Sequence, residues 1–355
     1  MNESQTLIGG DFAIDFDEKI ITNINNQYNS IYNKKYHYFT DCGRSAISIA
    51  LQILKKKNKK LKALLPVYCC PTIIKTFKKN NIKLSFYSMG KNLNSPNSLP
   101  KNTNNTIIFF IHYFGKKNNL MINYINKQKK ISKNCYIIED LVQTCFSHLY
   151  NKYVGDFIIT SLRKFLPVPD GGILYTNYKY EGIIQPKNDT FLSKIILSKT
   201  LRKKNKYEKI YLKFYKQSEK ILNNESNIRA MSSISRKLLA NLNIKYIQNQ
   251  RIKNWKILKK YLINKNLKQL YSTIQNNEVP LAYPLLINPN KRKKFDNYLK
   301  KNKIYCAIHW NLGYIKTNKR FYEDYKISKS IISIPIDHRL NKYRLNKLIR
   351  TINDF

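Results

Sequence analysis

Between Arg44 and Thr176 the chain alternates amphipathic helical stretches with short apolar runs rich in β-formers. Few architectures accept that alternation. Arg44–Lys57 carries Ile47, Ile49, Ala50, Leu51 and Leu54 at helical spacing. Strand character follows at Leu61–Val67, a helix at Pro71–Asn80 and a strand at Lys83–Tyr87. After a polar Pro/Asn/Ser loop over Asn92–Asn105 come a strand at Thr106–His112, a helix at Leu120–Lys130 and a strand at Asn134–Glu139. Phe157–Ser161 and Gly172–Thr176 complete the series. Strands separated by helices return in parallel, so the pattern predicts an α/β fold with a mostly parallel sheet wrapped by helices. Ligands of such sheets bind beyond the carboxyl ends of the strands, where His112, Asp140 and Ser161 lie.

From about Thr190 to Lys265 the pattern is long, charged and helical. A compact α+β segment follows: a strand near Val279–Ile287, a helix near Lys291–Lys301, strands at Ile304–Ile308 and Ile331–Ile334, and a closing helix at Asn341–Phe355. The chain thus divides into a large domain over residues 1–235 and a helical arm with a small α+β domain over 236–355.

With 355 residues and a hydrophobic fraction of 43%, the chain can bury a large core. No apolar run approaches the roughly 20 residues that span a bilayer. Met1–Thr6 is polar and lacks the basic-then-apolar order of a signal peptide, so the expected location is the cytoplasm, with no membrane partner. Cys42, Cys69, Cys70, Cys135, Cys145 and Cys306 form no CxxC pair, the adjacent Cys69-Cys70 cannot readily close a disulfide or a zinc knuckle, and such usage agrees with a reducing compartment. The net charge of +44 raises the question of a nucleic-acid partner. The basic residues are instead spread in patches such as Lys55–Lys60, Arg202–Lys206 and Lys291–Lys294, without interleaved stacking aromatics. Lys, Asn, Ile and Tyr are abundant together, as an AT-biased coding sequence produces. We read the charge as compositional drift that can also steer anionic substrates.

The chemistry concentrates in Ser161-Leu162-Arg163-Lys164-Phe165-Leu166-Pro167-Val168-Pro169-Asp170-Gly171-Gly172. Most lysines of this chain lie in Lys/Asn-rich polar tracts and are solvated charges. Lys164 instead sits among apolar and turn-forming residues between two strands. A fixed amine suits condensation with a carbonyl. Upstream, the strand-like Tyr136-Ile137-Ile138 ends in Glu139-Asp140, with Gln143 just beyond. An amine and an acid so placed are the minimum equipment for pyridoxal phosphate (PLP), which needs a covalent anchor and a partner for its ring nitrogen. Asp41-Cys42-Gly43-Arg44-Ser45-Ala46 precedes the first clear helix. A glycine at a helix N-terminus outlines a phosphate site, although an ordinary helix cap has the same composition.

These motifs, in this order, resemble the DegT/DnrJ/EryC1/StrS family of PLP-dependent sugar aminotransferases, which have the aspartate-aminotransferase-like fold (fold type I). The likeness runs over almost the full length. It includes Ile8-Gly9-Gly10-Asp11-Phe12, Asp41 to Leu51, Pro66-Val67-Tyr68, His112-Tyr113-Phe114-Gly115 and Glu139-Asp140-Leu141-Val142-Gln143. It continues through the lysine loop, Asn227-Ile228-Arg229, Arg251 and Pro335-Ile336-Asp337-His338-Arg339-Leu340. The resemblance implies transfer of an amino group, with glutamate as the expected donor, to a nucleotide-linked keto sugar in amino-sugar or surface-polysaccharide biosynthesis. Lys164 would hold the cofactor and shuttle the proton. Asp140 would pair with the ring nitrogen and Gln143 with the ring oxygen. Ser161 and the Gly43–Arg44–Ser45 backbone would bind the phosphate, and Asn227 would reach the phosphate of a neighbouring subunit in a homodimer. Tyr68 is the available substitute for the ring-stacking aromatic, because Cys69 and Cys70 occupy that turn. His112 and His309 would line the substrate side, with structural packing as the alternative for both.

Three departures stand out. Only Leu162 and Arg163 separate the serine from the lysine, two fewer than the family usually has; Asp170 replaces the usual glutamate; and no clear stacking aromatic is present. A PLP enzyme of another reaction type, such as a dehydratase, is the alternative, though relatives of that kind carry histidine in place of Lys164. The non-enzymatic alternative, a basic nucleic-acid-binding or regulatory protein, rests on charge alone.

Overall fold

The structure is a computed structural model that describes residues 7–14, 32–144, 146–147, 153–203, 207–275, 278–313 and 319–355. Met1–Thr6, Cys145 and the end of the Arg202–Lys206 patch lie outside the described residues. The first half contains β1 (Ile8–Gly9), β2 (Tyr36–Thr40), α1 (Gly43–Lys57), β3 (Lys62–Pro66), α2 (Pro71–Lys79), β4 (Lys83–Tyr87), β5 (Thr106–Ile111), α3 (Asn119–Ile131) and β6 (Tyr136–Asp140). Next come β7 (Phe157–Ser161), β8 (Gly172–Thr176), α4 (Asp189–Lys203), α5 (Glu208–Asn224), α6 (Ser233–Asn241) and α7 (Ile244–Tyr261). The last part holds β9 (Leu267–Gln269), β10 (Tyr283–Ile287), α8 (Pro289–Lys301), β11 (Ile304–Tyr305), α9 (Tyr322–Ser330), β12 (Ile331–Ile334) and α10 (Lys342–Asn353). No helix among the described residues is long and apolar enough to cross a membrane.

The chain forms two compact units, both discontinuous in sequence. One comprises Met1–Gly10, Lys60–Gly155 and Ile247–Phe355; the other comprises Asp11–Lys59 and Asp156–Tyr246.

In the first unit β6, β5, β3 and β4 lie side by side, every pair parallel. This is the parallel sheet that the alternating pattern predicts. All six residues of β5 are buried, as expected of a strand covered on both faces. Pro71 opens α2 at a position where its missing N–H costs nothing, and Ile73, Ile74 and Phe77 form its buried stripe. The Asn118 side chain caps α3 by accepting from the Met121 N–H. A second, antiparallel sheet has the order β12-β10-β9. Its core gathers Trp255 and Leu258 of α7, Leu285, Phe295, Leu299, Ile332 and Leu348.

The chain's start is tied to its end within this unit. β1 pairs in parallel with β11. Gly9 has φ +77°, and a Cβ there would stand 2.3 Å from the Tyr305 carbonyl oxygen, so only glycine fits. Arg339 pairs with Asp337 at 2.7 Å and donates to the Gly10 carbonyl at 3.2 Å. Burial alone would raise the Asp337 carboxyl, but Arg339 holds it well below the usual carboxylate range. The Pro335–Leu340 segment therefore works as a structural knot.

The short helix α9 has no clear sequence signal; one buried carboxylate docks it. Asp324 accepts from the Ser88 hydroxyl at 2.5 Å and the Met89 N–H at 2.9 Å, just beyond β4.

In the second unit β2, β8 and β7 are antiparallel neighbours. β7 and β8 pair from Phe157↔Thr176 to Ser161↔Gly172, so the lysine loop is the connection of one long hairpin. Below it, α4 and α5 pack together. Lys194–Gln217 and Ser198–Tyr211 hydrogen bonds run in opposite senses along the two helices, which makes the pair antiparallel. The long helical tract expected from about Thr190 to Lys265 comprises, among the described residues, α4, α5, α6 and α7.

Asp324 yields a pH test. Burial pushes its carboxyl up to about 6, so the folded chain holds this proton more tightly than the unfolded chain. Stability from this group is therefore lost as pH rises from about 4 through about 6. Replacing Asp324 with Asn should remove that slope, so the variant gains about 1–3 kcal/mol relative to the parent between pH 4 and pH 7. Urea unfolding across this range checks it; a pH-independent difference contradicts it.

Candidate active site

In the second unit, β7 ends at Ser161 and runs into a 3-10 turn at Leu162–Lys164. The Leu162 N–H donates to the Gly171 carbonyl at 3.0 Å, and the N–H groups of Phe165 and Leu166 donate back to Leu162 at 3.0 and 2.9 Å. Leu162, Phe165, Leu166 and Val168 are buried, while Lys164 is exposed on the same turn. An apolar loop thus presents one amine to solvent.

The two glycines that close this loop have a packing reason. Gly171 (φ +130°) donates its N–H to the Asp41 carbonyl at 2.7 Å. A Cβ on Gly172 would lie 2.3 Å from the Cys42 carbonyl carbon and 2.6 Å from the Gly43 nitrogen. β8 therefore begins directly against the first turn of α1. That turn has no acidic residue, and Cys42, its cap, makes no side-chain capping bond. Its leading N–H groups suit an anion.

Two buried carboxylates brace this junction. Asp41 accepts the Ser45 hydroxyl at 2.6 Å, and burial pushes its carboxyl up to about 6. Asp170 accepts from the Ser232 N–H at 2.9 Å and from the hydroxyls of Ser232, at 2.7 Å, and Ser235. Burial raises Asp170 as well. Asp170, which stands where glutamate is usual, ties the loop to the start of α6. The Arg44 side chain turns to α5, donating to Asn223 Oδ1 at 2.8 Å and the Leu222 carbonyl at 3.1 Å. Only its backbone remains for the anion role. Ser161 is half-buried at the end of β7, next to a Thr160 hydroxyl that is buried without a hydrogen-bond partner. Asn227 is exposed, and its N–H donates to Glu225 Oε1 at 2.9 Å. A helix N-terminus, a nearby hydroxyl, a backbone junction with no room for a Cβ and a presented amine fit a phosphorylated aldehyde such as PLP.

In the first unit, Asp140 is the last residue of β6, 4% exposed, and accepts the Val142 N–H at 2.8 Å. Buried Gln143 accepts the Phe114 N–H at 2.5 Å, which secures the left-handed turn at Phe114 (φ 54°). Tyr68 is fully buried, with its ring centroid 5.8 Å from Tyr113 and 5.6 Å from the half-buried Trp310. Tyr113 donates its hydroxyl to the Tyr68 carbonyl. The sequence offers no signal for this three-ring cluster, because it joins positions far apart in the chain.

His112 takes an internal role. It is fully buried; its Nδ1 accepts the Asn118 N–H at 3.1 Å, and its Nε2 lies 2.9 Å from Glu139 Oε1. The accepting Nδ1 assigns the proton to Nε2, which donates to Glu139. Glu139 also accepts the N–H groups of Val154 and Gly155 at 3.0 and 2.8 Å. His309 lies 2.8 Å from the Ser333 hydroxyl through Nδ1, and its ring meets Phe114 at 5.7 Å. Arg251 is buried and donates to the Leu281 carbonyl at 2.8 Å.

The glycine junction is directly testable. Gly172→Ala forces a Cβ into backbone atoms that cannot yield, and should cost about 3 kcal/mol or more in urea unfolding. A loss below about 0.5 kcal/mol, the range of ordinary surface substitutions, contradicts the packing described.

No family model and no curated protein matches the chain. Solved structures do. The chain is similar to the sugar aminotransferase CalS13 from Micromonospora echinospora at 12% identity and TM-score 0.64, over 98% of this chain and 100% of the other. It is similar to the PLP form of Spr1654 from Streptococcus pneumoniae, described as a sugar aminotransferase, at 11% identity and TM-score 0.69, over 98% of each chain. It is also similar to Helicobacter pylori PseC, an aminotransferase involved in the biosynthesis of pseudoaminic acid, at 12% identity and TM-score 0.67, over 98% of this chain and 99% of that one. At such identities the likeness is one of fold. The chain has the mixed α/β fold of these sugar aminotransferase structures over nearly its whole length.

Proposed function

We propose that this protein is a PLP-dependent aminotransferase acting on a keto sugar, with glutamate as amino donor and a nucleotide carried by the sugar. The observation that carries this reading is the exposed Lys164 amine on a bonded, apolar turn that closes against the first turn of α1. The full-length fold likeness, including one neighbour solved in both PLP and PMP forms, supports it.

When bound, PLP supplies an electron-accepting ring conjugated to a carbon that accepts amines. The N–H groups at the start of α1, from Gly43 to Ser45, and the Ser161 hydroxyl would hold its phosphate. The Asp140 carboxylate would keep the ring nitrogen protonated. Gln143 would orient the ring oxygen, and Tyr68, backed by Tyr113 and Trp310, would give the ring an aromatic wall. Lys164 would anchor the cofactor's aldehyde, and its amine would be the group that takes the proton from the donor's α-carbon and redelivers it. The same amine would run the second half-reaction in reverse, onto the sugar. We place the protein in the cytoplasm as a homodimer in which Asn227 reaches the neighbouring subunit's phosphate. His309 would stand on the substrate side, whereas His112 serves the fold. Nucleic-acid binding has no part in this reading.

The test is spectroscopic and chemical. Purified protein given PLP should turn yellow, lose that band on borohydride treatment, and move ¹⁵N from glutamate to a nucleotide-linked keto sugar. Lys164→Ala should lower transfer by at least about 10³-fold, and Asp140→Asn by at least about 10²-fold with cofactor still bound. Protein that takes up no PLP, or a Lys164→Ala variant with parental transfer, overturns the proposal. Cofactor uptake with sugar turnover but no nitrogen transfer assigns a different PLP reaction.

A further inference from the structure

Arg163, which immediately precedes Lys164, is a cation in a mostly buried position; its side chain is 14% exposed. Its Nη2 donates to Glu219 of α5 in an ion pair. Its guanidinium also lies 5.9 Å from the ring of Phe191, a buried residue of α4. Asp11, held by Lys199 of α4 at 2.9 Å, belongs to the same charged layer. The Lys199 side chain is fully buried and also donates to the Phe12 carbonyl at 2.9 Å. The turn is thus gripped from two directions. Leu162, Phe165 and Leu166 hold it through apolar burial, and Arg163 pins it to the α4–α5 pair.

We infer that the Arg163–Glu219 pair is a positioning device for Lys164, fixing where the amine stands relative to the start of α1. This rests on the reading of Lys164 as the PLP-binding amine. Three observations carry it. The turn contains a single 3-10 segment, and Arg163 and Lys164 are consecutive within it, so anchoring one fixes the backbone of the other. The amine-bearing side chain is exposed, so its placement comes from its backbone. Finally, a charged group is retained at a position where desolvation is costly and an apolar side chain would pack more cheaply. The pair also gives a reason for the short Ser161–Lys164 spacing: a turn two residues shorter is held from beneath by an ion pair.

The test uses the full chain with three variants: Arg163→Met, Glu219→Gln and the swap Arg163→Glu/Glu219→Arg. Two readouts are taken. Amide hydrogen exchange over Leu162–Leu166 needs no cofactor, and both single variants should exchange about tenfold faster there, with the swap close to the parent. The second is the rate at which PLP is trapped on Lys164 by borohydride, followed against PLP concentration. The limiting rate should fall about tenfold in the single variants, and the half-saturating concentration should stay put because the phosphate cradle is untouched. The swap should recover the rate to within about threefold.

Parental exchange and parental limiting rate in both single variants overturn the inference. A weakened half-saturation with an unchanged limiting rate also overturns it, because that describes general loosening. A swap that restores thermal stability without restoring the limiting rate does the same. If the parent itself shows no saturable trapping on Lys164, the proposed function fails, and the exchange measurement alone still decides whether the pair holds the turn.

Discussion

One steric fact organises the second unit: at Gly172 the chain passes so close to Cys42 and Gly43 that no side chain fits between them. The start of a strand and the start of a helix are thereby locked together. Everything of chemical interest in this unit depends on that contact. It places the α1 amides beside the hairpin that carries Lys164, and it leaves the loop only one way to run. Asp41 and Asp170 are buried on either side of the junction: Asp41 accepts the Ser45 hydroxyl, and Asp170 accepts the Ser232 N–H and the hydroxyls of Ser232 and Ser235. A charged group is costly in such a place, so these hydrogen bonds are part of what makes the junction tenable.

The first unit solves a different problem. Its four parallel strands end near Pro66, Tyr87, Ile111 and Asp140, and the side chains beyond these ends are held by pairs distant in sequence. Glu139 accepts from His112, Gln143 supports the left-handed turn at Phe114, and Tyr113 braces Tyr68. Asp140 stands at the end of β6, where its buried carboxylate accepts the Val142 N–H.

Much of this was legible in the chain. The strands Lys83–Tyr87, Phe157–Ser161, Gly172–Thr176 and Ile331–Ile334 match the structure residue for residue, because each is a short apolar run bounded by turn formers. The turn that carries Lys164 was legible as a proline- and glycine-punctuated loop between two apolar runs. β2 was not: Tyr36–Thr40 is largely half-buried and reads as neither a core strand nor a clean alternation. α9 was missed because its nine residues are mostly polar, and it owes its place to Asp324 contacting Ser88, over 200 positions away. The Arg163–Glu219 and Tyr68–Trp310 contacts were illegible for the same reason. Local pattern dictates local structure, but pairings between remote side chains leave no periodic trace.

The central claim is that one amine among a great many is singled out by its setting. The direct measurement is to incubate the protein with PLP, reduce with borohydride, digest, and locate the modified lysine by mass spectrometry. One dominant, near-stoichiometric site is expected, at Lys164. Modification scattered over the surface lysines, or concentrated at another position, would contradict it.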